Sequence, residues 1–586
     1  MIRRNKKMWS LHNTSIKGKT SLILAVCALL SVSCTVYGYT EPGKKKLIHF
    51  GWSAPSTVEQ FLKTDIRDFD ARCPFDGIGI YPSLNLKRDG KIVRYNPVRA
   101  AGDPQILTWE DCEEWIPVLR RLQETRLKHN FIRCNSSMFN GNWFDDEVWK
   151  RTLNNYGMMA RMAKEAGFEG LCVDLEGYPY TKKPFMFRQE YGHSFEETAA
   201  QVRKRGKEWI EEVNRQFPDL TLFTFVWTIM NCDSDNRALH PELNCGSQDE
   251  LLTAFFNGIY DGAPDTMKIV DGQEIRGYYA ATDMDFDRIA ANYRSYADAW
   301  IDPANYGKFR KITSMGMALY LDSYVKKSKP TRFDHLNDNF SDPTTLLAHN
   351  VMKTLSRADE YAWIWCERGT FWPDAEFNFA KGKKLYPFWD EILPSCTEAI
   401  RFGRDWAKGI PSLAGRNIVR NGSLEPGESG DAAGPDQNKS GILEWWTWQS
   451  GSSPKGTIVP ENGMVRFVNV TDGSIAQIFD SDVRPGRKYI LTARCKNESR
   501  VSMPQLSFFF SNRNSQGLWD TREFGLFTEE ETDGWKRATL LINVPDGRNI
   551  TRLTVTLGTK GTQDPADKGV LFDDVALYEV EYPWKK

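Results

Sequence analysis

Between residues 45 and 409, short apolar runs alternate with longer amphipathic stretches. That alternation limits the fold more than any other feature of the chain. The runs LIHFGW (47–52), DGIGIYP (76–82), NFIRCN (130–135) and GLCVDLE (170–176) read as the first four strands. LTLFTFVW (220–227), EIRGYYA (274–280), KITSMGMALYLD (311–322) and EYAWIWCERG (360–369) read as the next four. Helical segments separate them, among them 109–127, 195–217 and a segment over 145–167 closed by a glycine. Nearly all-apolar strands alternating with helices suit a parallel sheet covered by helices. Eight such units predict a (β/α)8 barrel, the TIM-barrel architecture, over 45–409.

After Gly409 the pattern changes. Residues 412–441 are rich in Gly, Ser, Pro and Asn. Short alternating runs follow: MVRFVNV, SIAQIFD, KYILTARCKN, PQLSFFFSN, WKRATLLINVP, TRLTVTLGT and VLFDDVALYEVE. Their period of two and the turn residues between them predict an all-β jelly-roll sandwich over 410–586.

The first 34 residues read as a leader, a basic stretch and then the apolar core SLILAVCALLSVSC. The core is too short for a good membrane span. It ends at Cys34 as a lipoprotein processing site would, so Cys34 is the expected lipid attachment point and 35–44 a tether. Export from a bacterial cell is expected, anchored by lipid or secreted, with membrane association only through that anchor. Of the other nine cysteines, Cys232 and Cys245 flank a polar loop and suit a disulfide across it. Cys112, Cys134, Cys172 and Cys366 fall in apolar segments and read as buried thiols. No Cys or His spacing resembles a zinc site. Net charge is -1 with no basic tract, which argues against nucleic acid. No glycine-rich phosphate loop appears. The 20 Trp, 21 Tyr and 33 Phe hint at surfaces on which sugar rings stack.

A (β/α)8 barrel places its active site at the C-terminal ends of its strands. There the sequence puts His49 and Trp52, Tyr81, Arg133 and Asn135, Asp174 and Glu176, Trp227, Tyr278 and Tyr279, Tyr320 and Asp322, and Trp365 and Glu367. Asp283 and Trp372 lie in the loops beyond. Asp174 and Glu176 alternate along one strand and so share a face. Two carboxyl groups there are suited to general acid and base chemistry.

The C-terminal region, about 417–581, resembles the carbohydrate-binding β-sandwich modules of xylanases and related polysaccharidases. The matching elements are NIVRNGSLE from Asn417, the cluster Trp445-Trp446-Thr447-Trp448, and FDDVAL from Phe572. The resemblance implies sugar-stacking roles for Trp445, Trp446, Trp448 and Trp519, and a structural calcium at Glu425 or Asp574. The barrel resembles a divergent glycoside hydrolase. EGLCVDLEGY is similar in outline to the chitinase-type motif, with Asp174 and Glu176 at its last Asp and catalytic Glu. Glu169 and Cys172 stand where that motif has acidic residues, which puts substrate-assisted chemistry in doubt.

The expected function is hydrolysis of glycosidic bonds in a poly- or oligosaccharide, with no cofactor for catalysis. Glu176 is the expected acid/base and Glu367 the expected nucleophile or base, while Asp174 tunes Glu176 or orients the substrate. Asp283 and Asp322 are alternatives for the second carboxylate. Arg133 pairs with Glu176 or binds an anionic substituent. His49, Trp52, Tyr81, Asn135, Trp227, Tyr279, Tyr320, Trp365 and Trp372 are the remaining candidates for lining sugar subsites. Two other classes stay open. One is a non-catalytic surface glycan-binding lipoprotein. The other is a polysaccharide lyase using His49 with Arg133.

Overall fold

The structure, a computed structural model, describes residues 45–98, 103–136, 139, 142–176, 183–227, 251–325, 336, 342–373, 376–379, 382–408, 417–428, 438–480, 486–512, 517–527, 529–545, 550–580 and 582–585. The leader, Cys34, Cys232 and Cys245 lie outside the described residues.

The barrel strands are β1 (Lys46–Gly51), β2 (Gly77–Ile80), β3 (Phe131–Asn135), β4 (Gly170–Asp174), β5 (Thr221–Thr224), β6 (Lys268–Asp271), β7 and β8 (Tyr361–Cys366). Gly316 divides β7 into Thr313–Met315 and Met317–Tyr320. The first half pairs with β6 and the second with β8, so the sheet closes on itself. All of these pairings are parallel. The predicted sixth strand is misplaced. The strand is KIVD, and EIRGYY beyond it is a helix.

The helices used below are α1 (Asp146–Ala166), α2 (Phe195–Gln216), α3 (Leu252–Gly262), α4 (Glu274–Tyr279), α5 (Asp283–Tyr296), α6 (Pro343–Arg357) and α7 (Cys396–Ala407). Their ends follow from sequence chemistry. The Asp145 side chain accepts the Val148 N–H at 3.0 Å to open α1, and Gly167 closes it at φ 74°. Ser194 and Glu197 form a capping box at the start of α2.

Aromatic rings fill the barrel. The Phe50 ring centroid lies 5.1 Å from Phe223, 5.0 Å from Phe225 and 5.8 Å from Trp363. Phe225 stacks on Trp363 at 4.3 Å. At the N-terminal end of the strands, Glu360 bridges Lys46 and Lys268. The interior is therefore a packed core, and any site must lie above it at the mouth. Gly79 on β2 makes the space for Phe50, since a Cβ there would stand 2.2 Å from the Phe50 ring.

The C-terminal half forms two six-stranded antiparallel sheets. Their inner faces share one core that includes Trp445, Phe467, Leu491, Phe508, Val555, Phe572 and Leu577. All seven runs read as strands in this half are strands or the main part of strands. The sandwich rests on α6 and α7: the Lys353 ammonium donates to the Thr539 carbonyl, and Trp584 packs edge-on against Phe402 at 5.5 Å.

Gly79→Ala forces the Phe50 ring out of its position and is expected to cost about 1–3 kcal/mol. A thermal melt followed by circular dichroism checks this, and an unchanged melting temperature contradicts the packing described.

Candidate active site at the barrel mouth

The acidic corner is built by the ends of β3 and β4. Asn135 and Asp174 are register partners across those strands, and the Asn135 amide donates to Asp174 Oδ2 at 3.2 Å. Asp174 Oδ1 accepts the Glu176 N–H at 3.0 Å. The Ser136 hydroxyl donates to the Glu176 carbonyl at 2.5 Å. The backbone that carries Glu176 is thus held from two sides. The Glu176 residue is partly exposed, while Asp174 is buried.

Arg133 lies beneath this corner, 1% exposed. Its guanidinium sits 4.4 Å from the Trp52 ring centroid, 4.6 Å from Trp365 and 5.5 Å from Phe225. Its Nη2 is 3.7 Å from Asp174 Oδ2. Arg133 therefore pairs with Asp174 and is buried among aromatic rings. Trp52 is partly exposed at the mouth, and its ring meets Trp365 edge-on at 5.5 Å. Tyr81 is buried and donates to the Trp52 carbonyl at 2.6 Å.

Burial, and then the neighbouring Glu176 charge, push the Asp174 carboxyl up to about 7; Arg133 pulls the other way and is outweighed. A third carboxyl group joins the corner, one that periodicity does not reveal. Glu274 opens α4 just after β6, its Oε2 is buried, and its carboxyl interacts with the Tyr278 hydroxyl. Burial raises its pKa well above the usual carboxylate range, and the charges of Glu176 and Asp174 add to the shift. The signal was present in KIVDGQE, an apolar pair followed by acids, which is the same form as β4. It was hidden because EIRGYYA alternates like a strand.

Glu367 lies on the β8 side of the mouth. It is exposed after β8, accepting from Trp365 Nε1 at 3.1 Å and from the Tyr320 hydroxyl at 3.4 Å. Asp322 is buried and accepts the Glu367 N–H at 2.8 Å, so it fixes the β8 loop and is not offered to a substrate. Tyr320 stacks on Tyr278 at 5.0 Å.

Several other expectations are corrected. Phe50 points into the barrel, so its neighbour His49 points out to the helix layer. There His49 stacks on Phe75 at 4.9 Å and contacts Cys366 Sγ at 3.1 Å, and burial lowers its pKa to about 3. It is neither a sugar contact nor a lyase base. Trp227 is fully buried, stacked on Phe256 at 3.9 Å, and Trp372 is fully buried, stacked on Phe69 at 3.6 Å. Both rings serve packing. Asp283 opens α5 and pairs with His349 at 2.6 Å and Lys353 at 3.1 Å. Burial opposes its ionisation, but those two cations outweigh burial and hold its pKa far below the usual range. It therefore belongs to the ion-pair cluster that meets the sandwich. Tyr279 is exposed on α4 and is not at a strand end.

In the sandwich, Trp445 is a core residue whose indole donates to the Asn421 carbonyl at 3.1 Å. Thr447 pairs with the core residue Ile475, so Trp446 and Trp448 face the other side of the sheet. Trp446 is buried there and Trp448 is partly exposed. The Trp519 side chain lies outside the described residues. Asp574 pairs with Arg537 at 3.1 Å. Among the described residues no group of three or more His, Cys, Asp or Glu side chains is placed to hold a metal. Cys112, Cys134, Cys172 and Cys366 are buried free thiols, as expected.

No protein-family model matches the chain, and no curated protein matches it in sequence. Solved structures are similar over parts of it. The enzymatically active domain of bacteriophage CBA120 tailspike protein 4 is 18% identical over 23% of this chain and 19% of that one, with a TM-score of 0.18. A CBM4 structure is 17% identical over 28% of this chain and 99% of that one, with a TM-score of 0.20. The CBM22-1–GH10 modules of Clostridium thermocellum endo-1,4-beta-D-xylanase 10B, in complex with xylohexaose, are 14% identical over 23% of this chain and 26% of that one, with a TM-score of 0.18. The matched part thus spans about a fifth of the tailspike structure, a quarter of the xylanase structure and nearly all of the CBM4 structure. At these TM-scores the likenesses carry no argument about this chain.

The raised Asp174 pKa has a consequence for stability. Between its ordinary value near 3.8 and about 7 the folded state binds more protons than the unfolded chain, so stability falls as pH rises through that window. Asp174→Asn removes the penalty. The variant is expected to be more stable than the parent at pH 8, by on the order of 2 kcal/mol, with the gap closing toward pH 4. Melting curves across that range check it, and a gap that does not depend on pH contradicts it.

Proposed function

We propose that the protein is a glycoside hydrolase acting at the barrel mouth on a poly- or oligosaccharide. The observation that carries this is the Asp174–Glu176 corner at the end of β4, set beside the partly exposed Trp52 ring. Breaking a glycosidic bond takes a proton donor for the leaving oxygen and a carboxylate on the anomeric side. A flat indole beside those groups is suited to hold the C–H face of a sugar ring. Glu176 is the carboxyl group placed to reach the reacting bond, because it is partly exposed where Asp174 is buried, and its backbone is pinned by Asp174 and Ser136. Buried Asp174 serves as its support.

In the same reading, the sandwich brings the enzyme to its glycan, Trp448 being the partly exposed ring on its outer sheet face. The protein is exported and held at the membrane through a lipid on Cys34. Catalysis by these carboxyl groups needs no cofactor.

Glu176→Gln is expected to lower the rate of oligosaccharide hydrolysis by roughly a factor of a hundred to ten thousand. Folding and sugar affinity should be little changed. The assay is release of new reducing ends from a panel of neutral oligosaccharides, with binding followed by calorimetry. Undiminished turnover in the variant overturns the assignment. Binding without turnover in the parent, across the panel, makes the protein a glycan-binding one.

A further inference from the structure

Acid and base chemistry at a glycosidic bond needs two carboxyl groups, and the sequence reading chose Glu367 to accompany Glu176. Glu367 is exposed, held by the Trp365 indole and the Tyr320 hydroxyl, and its own N–H is fixed by Asp322. Glu274 donates its N–H to the Phe225 carbonyl at 3.2 Å, and the Phe225 ring lies 5.5 Å from the Arg133 guanidinium, which is itself 3.7 Å from Asp174. Glu274 therefore stands at the same mouth with its Oε2 buried, and the charges of Glu176 and Asp174 act on it.

The chain places Glu274 there with unusual firmness. Gly272 donates its N–H to the Thr224 carbonyl at 2.8 Å and accepts from the Trp363 indole at 2.7 Å. A Cβ at Gly272 would lie 2.4 Å from the Thr224 oxygen, so only glycine fits. Gln273 follows in the left-handed region, at φ 50° and ψ 44°, with its side chain buried. The Glu274 N–H then reaches the Phe225 carbonyl at 3.2 Å. A non-glycine residue held at positive φ is strained, and such strain persists where the surroundings fix it, often at working sites. Here the turn ends β6 and starts α4 at Glu274, at the mouth end of the barrel beside Phe225.

We propose that Glu274 is the second catalytic carboxyl group and the proton donor, with Glu176 as the carboxylate on the anomeric side. This rests on the reading of the mouth as a glycosidase site. Glu274 gives its proton to the glycosidic oxygen as the bond from that oxygen to the anomeric carbon breaks. The bonding pair stays on the oxygen, which leaves as an alcohol. The anomeric carbon takes the oxygen of a water molecule, whose proton passes to the Glu176 carboxylate, and the product is a hemiacetal. One water is consumed, and the two carboxyl groups recover their starting states by exchanging a proton with solvent. Burial and the adjacent negative charges keep Glu274 in the protonated form that this role needs.

The test compares Glu176→Gln, Glu274→Gln and Glu367→Gln, in the full chain, on two probes. One is the neutral oligosaccharide that the parent cleaves best. The other is the glycosyl fluoride of the same sugar, whose leaving group needs little protonation. Glu274→Gln is expected to lose oligosaccharide hydrolysis by roughly a hundredfold or more while keeping fluoride hydrolysis within about tenfold. The basic limb of its pH profile should disappear. Glu176→Gln should lose both activities and Glu367→Gln neither. If Glu176→Gln is inactive while Glu274→Gln cleaves the oligosaccharide normally, the proposal for Glu274 fails and the glycosidase reading stands. If Glu176→Gln turns over normally, the reading of the mouth itself fails. Thermal melts confirm that each variant is folded. Should Glu274→Gln not fold, Glu274→Asp is expected to slow the oligosaccharide and spare the fluoride, and equal losses on both probes overturn the donor role.

Discussion

The mouth of this barrel depends on one buried cation. Arg133 sits on top of the aromatic plug, 4.4 Å from the Trp52 ring and 4.6 Å from Trp365, with Asp174 at 3.7 Å. A guanidinium taken out of water is costly unless charge and π faces replace its hydration. Trp52, Trp365 and Phe225 supply the faces, and Asp174 supplies the charge. In return, Arg133 lowers the cost of ionising Asp174 and Glu274 beside Glu176. Without it, three carboxyl groups around one small space would repel each other with nothing beneath to offset them. The cation is outnumbered all the same. The pKa values of Asp174 and Glu274 therefore stay raised.

That arrangement is a product of barrel geometry. Alternation along each strand sends Phe50, Arg133, Asp174 and Trp365 inward and their neighbours outward. Phe50, Phe223, Phe225 and Trp363 fill the interior, so the polar residues stack only at the upper layer. Gly79 yields its place to Phe50, and Gly316 breaks β7 so that its halves reach β6 and β8 separately. The same alternation explains why His49, one residue from Phe50, is a neutral packing residue among Phe75, Phe371 and Cys366.

Much of this was legible in the sequence. Seven of the eight barrel strands, the long helices with their caps, and seven sandwich strands could be read from periodicity and turn chemistry. The acidic end of β4 and the mouth position of Trp52 could be read as well. What could not be read has a common cause. Composition shows that a ring is large and flat but not which side of a strand it leaves from, so Trp227, Trp372 and Trp445 passed for sugar platforms while serving as core. The sixth strand was lost because KIVD is only four residues long and the helix after it mimics a strand. With that strand went Glu274. The left-handed position that separates the two is held by Gln273, after Gly272, and not by a glycine or asparagine that would announce it.

The central claim is that the mouth around Glu176 cleaves glycosidic bonds with water. The most direct measurement is mass spectrometry of products formed from a neutral oligosaccharide panel in water enriched in heavy oxygen. The account predicts shorter saccharides, with one heavy oxygen at each newly formed reducing end. Saccharides recovered intact, or cleaved to unsaturated ends without the label, would contradict it.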